Sequence, residues 1–276
     1  MYSIEYKTAS GAVRLCGGSN PLLRPLSVSG LGLPEKDEAT ATFAFQPGQV
    51  LTGSRDKARD IQITGHVYCD YTRVARALRL LYIPGELIFR SDRGVKSIGA
   101  RCIGVSDKKI TETGTFYLEL AFRCDNPYFK HPVEIVKNIY NREKRLQTTF
   151  TLPCVPSVRV KSGILLNDGD IAAEAVFLVE NRSESVADGF VITNQTTGKS
   201  LKYTGEIPSG GKVILSVPDR TVTDEKGDDL LGNMQADSYL SDFALQKGEN
   251  KLVFDCKTAD VWCSCHYNVS FVEAIL

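Results

Sequence analysis

The segment Arg59-Asp-Ile-Gln-Ile-Thr-Gly-His-Val67 decides the fold of the first half of the chain. Apolar and polar residues alternate along it, and a period of two is typical of a strand with one buried face. Ile61, Ile63 and Val67 share that face. Alternation of this kind dominates the first half of the chain, which therefore predicts a β-rich domain.

A second strand is predicted before this segment. Ala39–Gln46 is rich in Thr and Phe and ends at the turn residues Pro47-Gly48, a pattern that indicates a strand running into a turn. The stretch Thr52–Lys57, between this strand and the one at Arg59, is polar and shows no clear alternation. We predict that it forms a loop.

One helix is predicted after the deciding segment. Asp70 is suited to the N-cap position, and Pro84-Gly85 ends the helix and turns the chain. The apolar stripe at helical spacing comprises Val74, Ala77, Leu78 and Leu81. Strands follow over residues 86–90, 96–105 and 115–124. Residues 1–132 are therefore predicted to form a β-barrel or sandwich that carries one packed helix.

The second half of the chain also reads as β structure. Residues 133–149 are mixed and charged, and are predicted to be a linker or a strand leading into the next domain. From residue 150 to residue 276 short apolar runs alternate with turn signals such as Asn167-Asp-Gly-Asp170, a pattern typical of a β-sandwich. The predicted strands cover residues 157–161, 173–180, 189–194, 200–203, 212–216, 251–255 and 261–272.

Charge and hydropathy argue against several classes of function. The formal net charge is zero, but residues 1–146 carry 22 basic against 15 acidic side chains and residues 147–276 carry 11 against 18. This asymmetry supports a boundary near the middle and is too weak for sequence-specific nucleic-acid binding. No apolar run is long enough for a membrane span, and no secretory signal is visible. We therefore expect a protein that folds in the cytoplasm and does not insert into membranes.

The eight cysteines are expected to be free thiols, because a chain without a secretory signal rarely builds a disulfide framework. The most metal-like group comprises Cys256, Cys263, Cys265 and His266. In a strand, Cys263 and Cys265 point to one face and His266 to the other, so a buried thiol pair is favoured over a zinc site. No metal or cofactor is predicted.

Other motifs do not match the catalytic or binding sites that they resemble. A Cys/His nucleophile would need His66, His131 or His266 to converge with a thiol, and nothing in the sequence specifies that. Gly198-Lys199-Ser200 lacks the first glycine of a phosphate-binding loop and is predicted to be a turn, and Gly30-Leu-Gly32 lacks a third glycine for a dinucleotide site.

The acidic cluster at Asp224-Glu225 and Asp228-Asp229 has no EF-hand spacing and is predicted to be a solvated hairpin tip rather than a calcium or glycosidase site. Trp262 and Tyr203 could belong to a sugar-binding face, although aromatic residues in strands are more often part of the core. We therefore predict no catalytic residues and no enzymatic activity.

A family resemblance joins these motifs. Three motifs follow one another in the first half: the run from Arg59 through the Arg- and Leu-containing helix, then Pro84-Gly85-Glu-Leu-Ile-Phe-Arg90, then Arg123-Cys-Asp-Asn-Pro-Tyr-Phe129. Together they resemble the N-terminal half of the siphophage distal tail protein family. The segments that resemble its C-terminal half are Gly169-Asp170, Asn194-Gln-Thr-Thr-Gly-Lys199, Gly210-Gly-Lys-Val-Ile-Leu215, Ser241-Asp242 and Leu245-Gln-Lys-Gly-Glu-Asn250. The order and spacing of the motifs carry the likeness over nearly the whole chain.

The resemblance implies a structural protein of the virion tail tip or baseplate, assembled in the cytoplasm of the host bacterium. Its N-terminal belt domain would form a hexameric ring, and its C-terminal galectin-like β-sandwich would project outward. The implied partners are further copies of the chain, the tail tube protein and the tail-associated hub or lysin protein. Related proteins occur in prophages, contractile tails and tail-like bacteriocins, and the sequence does not distinguish among these.

Two further hypotheses remain open. Segment 51–59 is a candidate inter-subunit or tube-facing loop of the ring. The alternative function is that of a lectin-like protein, in which the second domain binds host-surface glycans and the first serves as a scaffold. A hydrolase is the third and weakest alternative.

Overall fold

A computed structural model describes residues 2–45, 47–67, 70–109, 116–144, 157–257 and 261–274. Backbone contacts divide the chain into two compact units, Met1–Pro132 with Phe271–Leu276 and Val133–Ser270. The chain therefore passes into the second unit after Pro132 and returns to the first at Phe271. Both units consist mainly of strands, which confirms the predicted mainly β fold.

The first unit holds one α-helix and ten strands in its described residues. In chain order they are β1 (Ser3–Thr8), β2 (Gly11–Cys16), β3 (Leu23–Ser29), β4 (Lys36–Ala41), β5 (Val50–Asp56), β6 (Arg59–Val67), α1 (Tyr71–Leu81), β7 (Gly85–Ser91), β8 (Gly94–Lys109), β9 (Phe116–Cys124) and β10 (Phe129–Lys130). Seven of these strands close a barrel in the order β8-β7-β1-β2-β3-β6-β9, because β9 also pairs with β8.

Alternating side chains fill the barrel. Ile61 and Ile63 of β6 are fully buried, as their spacing predicts, and they pack with Tyr6, Phe89 and Phe122 in one apolar cluster. A barrel that closes on itself leaves no unpaired sheet edge, which accounts for the continuous core of this unit.

Helix α1 packs on this cluster. Asp70 caps it as predicted, since its carboxylate accepts a hydrogen bond from the backbone N–H of Arg73 at 2.8 Å. Ala77 and Leu81 are buried, whereas Leu78 is more than a third exposed. The assignment of Leu78 to the buried stripe is therefore wrong: at 100° per residue it lies at the edge of the face centred on Ala77 and Leu81.

Two local predictions for the first unit are wrong. Residues 50–56 form strand β5, where a loop is predicted over Thr52–Lys57, and the preceding strand covers Lys36–Ala41 rather than Ala39–Gln46. β4 and β5 pair only with each other among the described residues, and their side chains are mostly exposed on both faces. Without a buried face, no alternation is needed, so the pattern that identifies the other strands is missing here.

The second unit is built from two sheets. Its strands are β11 (Ile135–Lys144), β12 (Ser157–Val160), β13 (Ser162–Asn167), β14 (Ala175–Asn181), β15 (Ala187–Asn194), β16 (Lys199–Ile207), β17 (Lys212–Ser216), β18 (Thr221–Asp224), β19 (Gly248–Asp255) and β20 (Val261–Tyr267), and β21 (Ser270–Phe271) follows at the unit boundary. One sheet has the order β12-β11-β20-β14-β17-β18 and the other the order β13-β19-β15-β16. Short 3₁₀ turns lie at Leu231–Asn233 and Leu240–Asp242.

Aromatic residues join the two sheets. Tyr140 of β11 lies 5.1 Å, between ring centroids, from Phe254 of β19, which in turn stacks on Phe190 of β15. Residues 135–144, predicted as a linker or a strand leading into the second domain, form a strand of this unit. Residues 145–156, which include the remainder of that segment, lie outside the described residues.

Candidate self-association surface

The hairpin of β4 and β5 is exposed along most of its length, and we refer to residues 33–57 as the arm. Its register runs from Lys36 opposite Asp56 to Ala41 opposite Val50. An isolated two-stranded hairpin is marginally stable in water at best, so such an element usually gains stability from a further partner.

Large apolar side chains are concentrated on the arm. Phe45 is fully exposed and Leu33 is three-quarters exposed, and Phe43, Val50 and Leu51 each expose about half of their surface. Phe45 also has a positive φ of 68°, unusual for a bulky residue, at the bend between the strands. An exposed apolar patch of this kind is typical of a protein–protein contact.

Polar contacts hold the two strands of the arm in register. Asp37 accepts hydrogen bonds from Nε and Nη2 of Arg55 at 3.1 and 2.8 Å, and Thr52 Oγ1 donates to the carbonyl of Ala39 at 2.9 Å. The hydrogen bonds and positive charge of Arg55 lower the pKa of Asp37 below its ordinary value of 3.8. The pair is solvent-exposed, so it contributes more to the register of β4 and β5 than to the stability of the fold.

This ion pair predicts an acid sensitivity confined to the arm. A carboxylate whose pKa is lower in the folded state stabilises that state above its unfolded pKa, and the contribution is lost as pH falls through the folded pKa. We expect amide exchange within β4 and β5 to accelerate relative to β6 as pH drops below about 4. The variant Asp37→Asn should remove this difference, and an unchanged acid response in that variant would assign the effect to other groups.

The root of the arm is tied to the barrel unit. The backbone N–H of Lys57 donates to the carbonyl of Glu35 at 2.8 Å, and the hydroxyl of Tyr128 donates to Asp56 Oδ2 at 2.7 Å. Burial and, to a smaller extent, the hydrogen bond to Asp56 raise the pKa of Tyr128 to about 12. The phenol therefore remains a hydrogen-bond donor at physiological pH. The arm is therefore anchored at its base and exposed along its length.

Arg59, at the first position of β6, is a buried charged residue that the sequence analysis missed. Its guanidinium donates to the carbonyl oxygens of Pro127, Gly30, Gly32 and Val272 at 2.9, 2.8, 2.5 and 2.6 Å. It also lies 4.7 Å from the ring centroid of Phe129. The alternation in β6 does indicate its burial: Arg59 lies two and four residues before Ile61 and Ile63, so its side chain points to the same face of the strand.

The metal-like group does not converge. Cys263 and Cys265 are buried in the second unit, whereas His266 lies on the opposite, partly exposed face of β20. Cys256 is buried elsewhere, with its thiol 3.3 Å from the carbonyl of Gly189. Burial raises the pKa of Cys265, which keeps this thiol protonated and unsuited to metal binding. Cys69 and Cys154 lie outside the described residues.

His266 does join a hydrogen-bonded chain that the sequence analysis missed. Its Nε2 lies 3.1 Å from Ser264 Oγ and its Nδ1 lies 3.3 Å from Glu134 Oε2, an order like that of a serine nucleophile, base and orienting carboxylate. However, β20 is paired on both sides, with β11 and with β14, so its backbone N–H groups are used in the sheet. They are therefore not available to stabilise an oxyanion beside Ser264.

The remaining candidate motifs have structural roles. Gly198 ends the turn between β15 and β16, whereas Lys199 and Ser200, predicted as part of this turn, are the first residues of β16. Asp224 Oδ1 accepts hydrogen bonds from the backbone N–H groups of Lys226 and Asp228, so this carboxylate shapes the acidic turn. Tyr203 is buried and stacks on Phe190, so its ring is not exposed for stacking on a sugar.

One open groove of about 350 Å³ lies beside β15 and β16. Its charged lining includes Asp188, Lys202, Asp255 and Lys257. Lys202 is fixed by Asp237, whose carboxylate lies 2.8 Å from its Nζ. The groove presents hydrogen-bonding groups of both signs and no exposed aromatic ring among its lining residues.

No family model matches the sequence, and no curated protein matches it. Among solved structures, the SPP1 Dit protein (gp 19.1), described as a paradigm of the hub adsorption apparatus in phages that infect Gram-positive bacteria, is 15% identical with a TM-score of 0.69, covering 98% of this chain and 99% of that chain. A chain from the phage P2 baseplate in its activated conformation with Ca is 9% identical with a TM-score of 0.52, covering 98% of both chains.

Identities this low establish the fold alone. At that level, the resemblance to phage distal tail proteins predicted from the sequence is confirmed, and it extends through both units. In the part of the chain that the structure describes, no helix has the length and apolar character needed to cross a membrane.

Proposed function

We propose that this protein is a non-enzymatic structural component of a phage or phage-like tail tip or baseplate. Its copies form a hexameric ring through the first unit, and the ring joins the tail tube to the host-facing hub. The observation that carries the proposal is the whole-chain fold likeness to SPP1 Dit, because both units, and not one common module, are shared. Fold alone does not specify function, so the exposed arm supplies the second support.

Assembly of the purified protein tests this proposal. We expect six-fold rings in negative-stain images and a hexamer mass in solution, or rings that form when tail tube and hub proteins are added. A chain that stays monomeric at high concentration and fails to join tails supplied with those proteins would overturn it.

The arm is the proposed contact between copies. Two exposed aromatic residues, Phe43 and Phe45, lie at its bend. We expect the double variant Phe43→Ser with Phe45→Ser to weaken self-association by about 10- to 100-fold, the effect of losing one or two buried aromatic anchors. Thermal unfolding should not change, because neither ring is buried in the single chain. Concentration-dependent sedimentation measures the effect.

The control is Tyr239→Ser, which removes a similarly exposed aromatic residue from the second unit. It should leave self-association unchanged. Equal weakening by both variants would show that loss of exposed apolar surface, rather than the arm, is responsible.

A lectin-like role is the second candidate, and the groove beside β15 and β16 is the observation that favours it. Carboxylates and amines at its walls can hydrogen-bond sugar hydroxyls. A glycan array probed with the full chain should show saturable binding that Asp255→Asn reduces without affecting assembly. Absence of any saturable glycan signal would dismiss this candidate.

A further inference from the structure

Arg59 joins three segments that are far apart in sequence. Gly30 and Gly32 lead into the arm, Pro127 lies shortly before the chain leaves the first unit, and Val272 follows directly after the chain returns to it. The four hydrogen bonds of this guanidinium end on backbone carbonyls. The positive charge therefore serves to hold chain segments together, independently of which side chains those segments carry.

Gly30 lets the arm's lead-in approach β6 this closely. Its φ is +84°, and a Cβ at this position would lie 2.1 Å from the carbonyl oxygen of Asp60. Only glycine fits both the backbone conformation and the space. The pair Gly30 and Gly32, which is unsuited to a dinucleotide site, thus presents two carbonyls to Arg59.

The returning segment Phe271–Ala274, which we call the strap, is held by a second set of contacts. Lys96 Nζ donates to the carbonyl of Glu273 at 2.9 Å and lies 4.2 Å from the ring centroid of Phe271. The backbone N–H of Ala274 donates to the carbonyl of Leu31 at 3.0 Å, and Ala274 itself is buried. The strap therefore bonds directly to the arm's lead-in as well as to Arg59.

The other side of the arm's root is tied to the departing segment. Tyr128, next to Pro127, donates its hydroxyl to Asp56 at the end of β5. Each side of the arm's base is thus bonded to one of the two places where the chain crosses between its units: Gly30–Gly32 to the strap, and Asp56 to Tyr128. A change at either crossing must break or strain hydrogen bonds at the arm's base.

From this geometry we infer that Arg59 and the strap form a clamp that sets the arm's position, so that self-association through the arm depends on whether the strap is seated. Arg59 is a positioning residue in this device, since it reaches the arm only through backbone carbonyls. The regulatory consequence rests on the proposed function, because it takes the arm to be the contact between copies. The mechanical coupling of strap and arm does not depend on it.

The test uses full-length protein with the strap loosened by Lys96→Met and Ala274→Pro. The first change removes the donor to Glu273 and the charge over Phe271, and the second removes the N–H that bonds to Leu31. We expect amide hydrogen exchange at residues 33–38 and 50–57 to rise at least tenfold, while β1 and β7 change little. Self-association, measured by sedimentation, should weaken by a similar factor.

Two matched variants separate clamping from general loss of stability. Lys96→Met with Ala274→Ser keeps the N–H at position 274 and should loosen the arm less than the proline variant. Val74→Ala removes core packing beneath α1, away from the arm, and should leave arm exchange unchanged at equal loss of global stability. Arm exchange that follows global stability in all variants, or that does not respond to the strap, would overturn the inference.

The exchange and association measurements can fail separately. If the strap variant loosens the arm but association is unaffected, the clamp stands and the arm is not the contact proposed above. If association weakens while arm exchange is unchanged, the clamp is wrong, the strap affects assembly without the arm, and the double variant of Phe43 and Phe45 alone decides whether the arm is the contact.

Discussion

Replacing Arg59 by methionine is expected to destabilise the first unit by about 2–4 kcal/mol. Methionine keeps the apolar stem of the side chain but donates no hydrogen bonds, so four carbonyl oxygens around the guanidinium lose their partner. The carbonyl of Pro127 is buried, and leaving it unpaired costs about 1–3 kcal/mol. The carbonyls of Gly30, Gly32 and Val272 are only partly buried, so water replaces part of what they lose. The expected loss is a large fraction of the stability of an ordinary domain, which is about 5–15 kcal/mol.

Denaturant unfolding followed by circular dichroism measures this effect. Arg59→Lys provides an intermediate case, because a single ammonium carries at most three donors and cannot span the four carbonyls as the planar guanidinium does. The control is Arg101→Met, which removes an exposed arginine of β8 that pairs with Asp125 at 3.2 Å and should change stability by less than about 1 kcal/mol. Equal effects of Arg59→Met and Arg101→Met would contradict the role assigned to Arg59.

Local sequence patterns, alternation in the strands and capping residues in the helix, were sufficient to predict most single elements. Strand β6 begins and ends where its alternation does, at Arg59 and Val67, and the N-cap and proline-glycine signals around α1 are confirmed. The closure of the barrel depends on which strands lie next to each other, and a local pattern does not contain that information. β8 is sixteen residues long and pairs with β7 along one part and β9 along another, with a register shift near Cys102 and Gly104. Periodicity within one strand does not indicate its neighbours.

The clamp could not be predicted for a similar reason. Its members come from residues 30–32, 59, 127 and 271–274, and the strap belongs with the first unit although it follows the last strand of the second. A division of the chain into consecutive halves, which the charge asymmetry suggested, hides this return. The sequence marks segment 51–59, which includes most of β5, as a candidate inter-subunit or tube-facing loop, but it does not indicate the β4–β5 hairpin, because these strands bury neither face.

Buried asparagine side chains hold the turns of the second unit, and the sequence gives no periodic pattern that identifies them. Asn167, Asn181, Asn194 and Asn250 are fully buried. Asn181 shows the principle: its Nδ2 donates to the carbonyls of Ser185, Ile207 and Pro208 at 2.9, 2.9 and 3.2 Å. Its Oδ1 accepts a hydrogen bond from the backbone N–H of Ser183 at 3.0 Å. The side chain thus bonds the turn that follows β14 and the end of β16 to the end of β14.

The variant Asn181→Asp is expected to lower the free energy of unfolding of the second unit by about 3 kcal/mol at neutral pH. The substitution preserves shape, but three carbonyls lose their donor and a carboxylate is buried facing them. Burial raises the pKa of such an aspartate in the folded state, so its neutral form is favoured there. The variant should therefore be most stable at low pH and lose stability as pH rises through that folded pKa.

The comparison that isolates this effect is Asn138→Asp, which introduces the same charge at an exposed position of β11. Unfolding curves of both variants between pH 4 and pH 8, each measured against the unsubstituted protein at the same pH, remove the contribution of all shared titrating groups. We expect a loss that grows with pH for Asn181→Asp and a small, nearly constant difference for Asn138→Asp. A pH-independent loss at position 181 would mean that the pocket admits water to the carboxylate, and that the amide acts as a space-filling group more than as a donor.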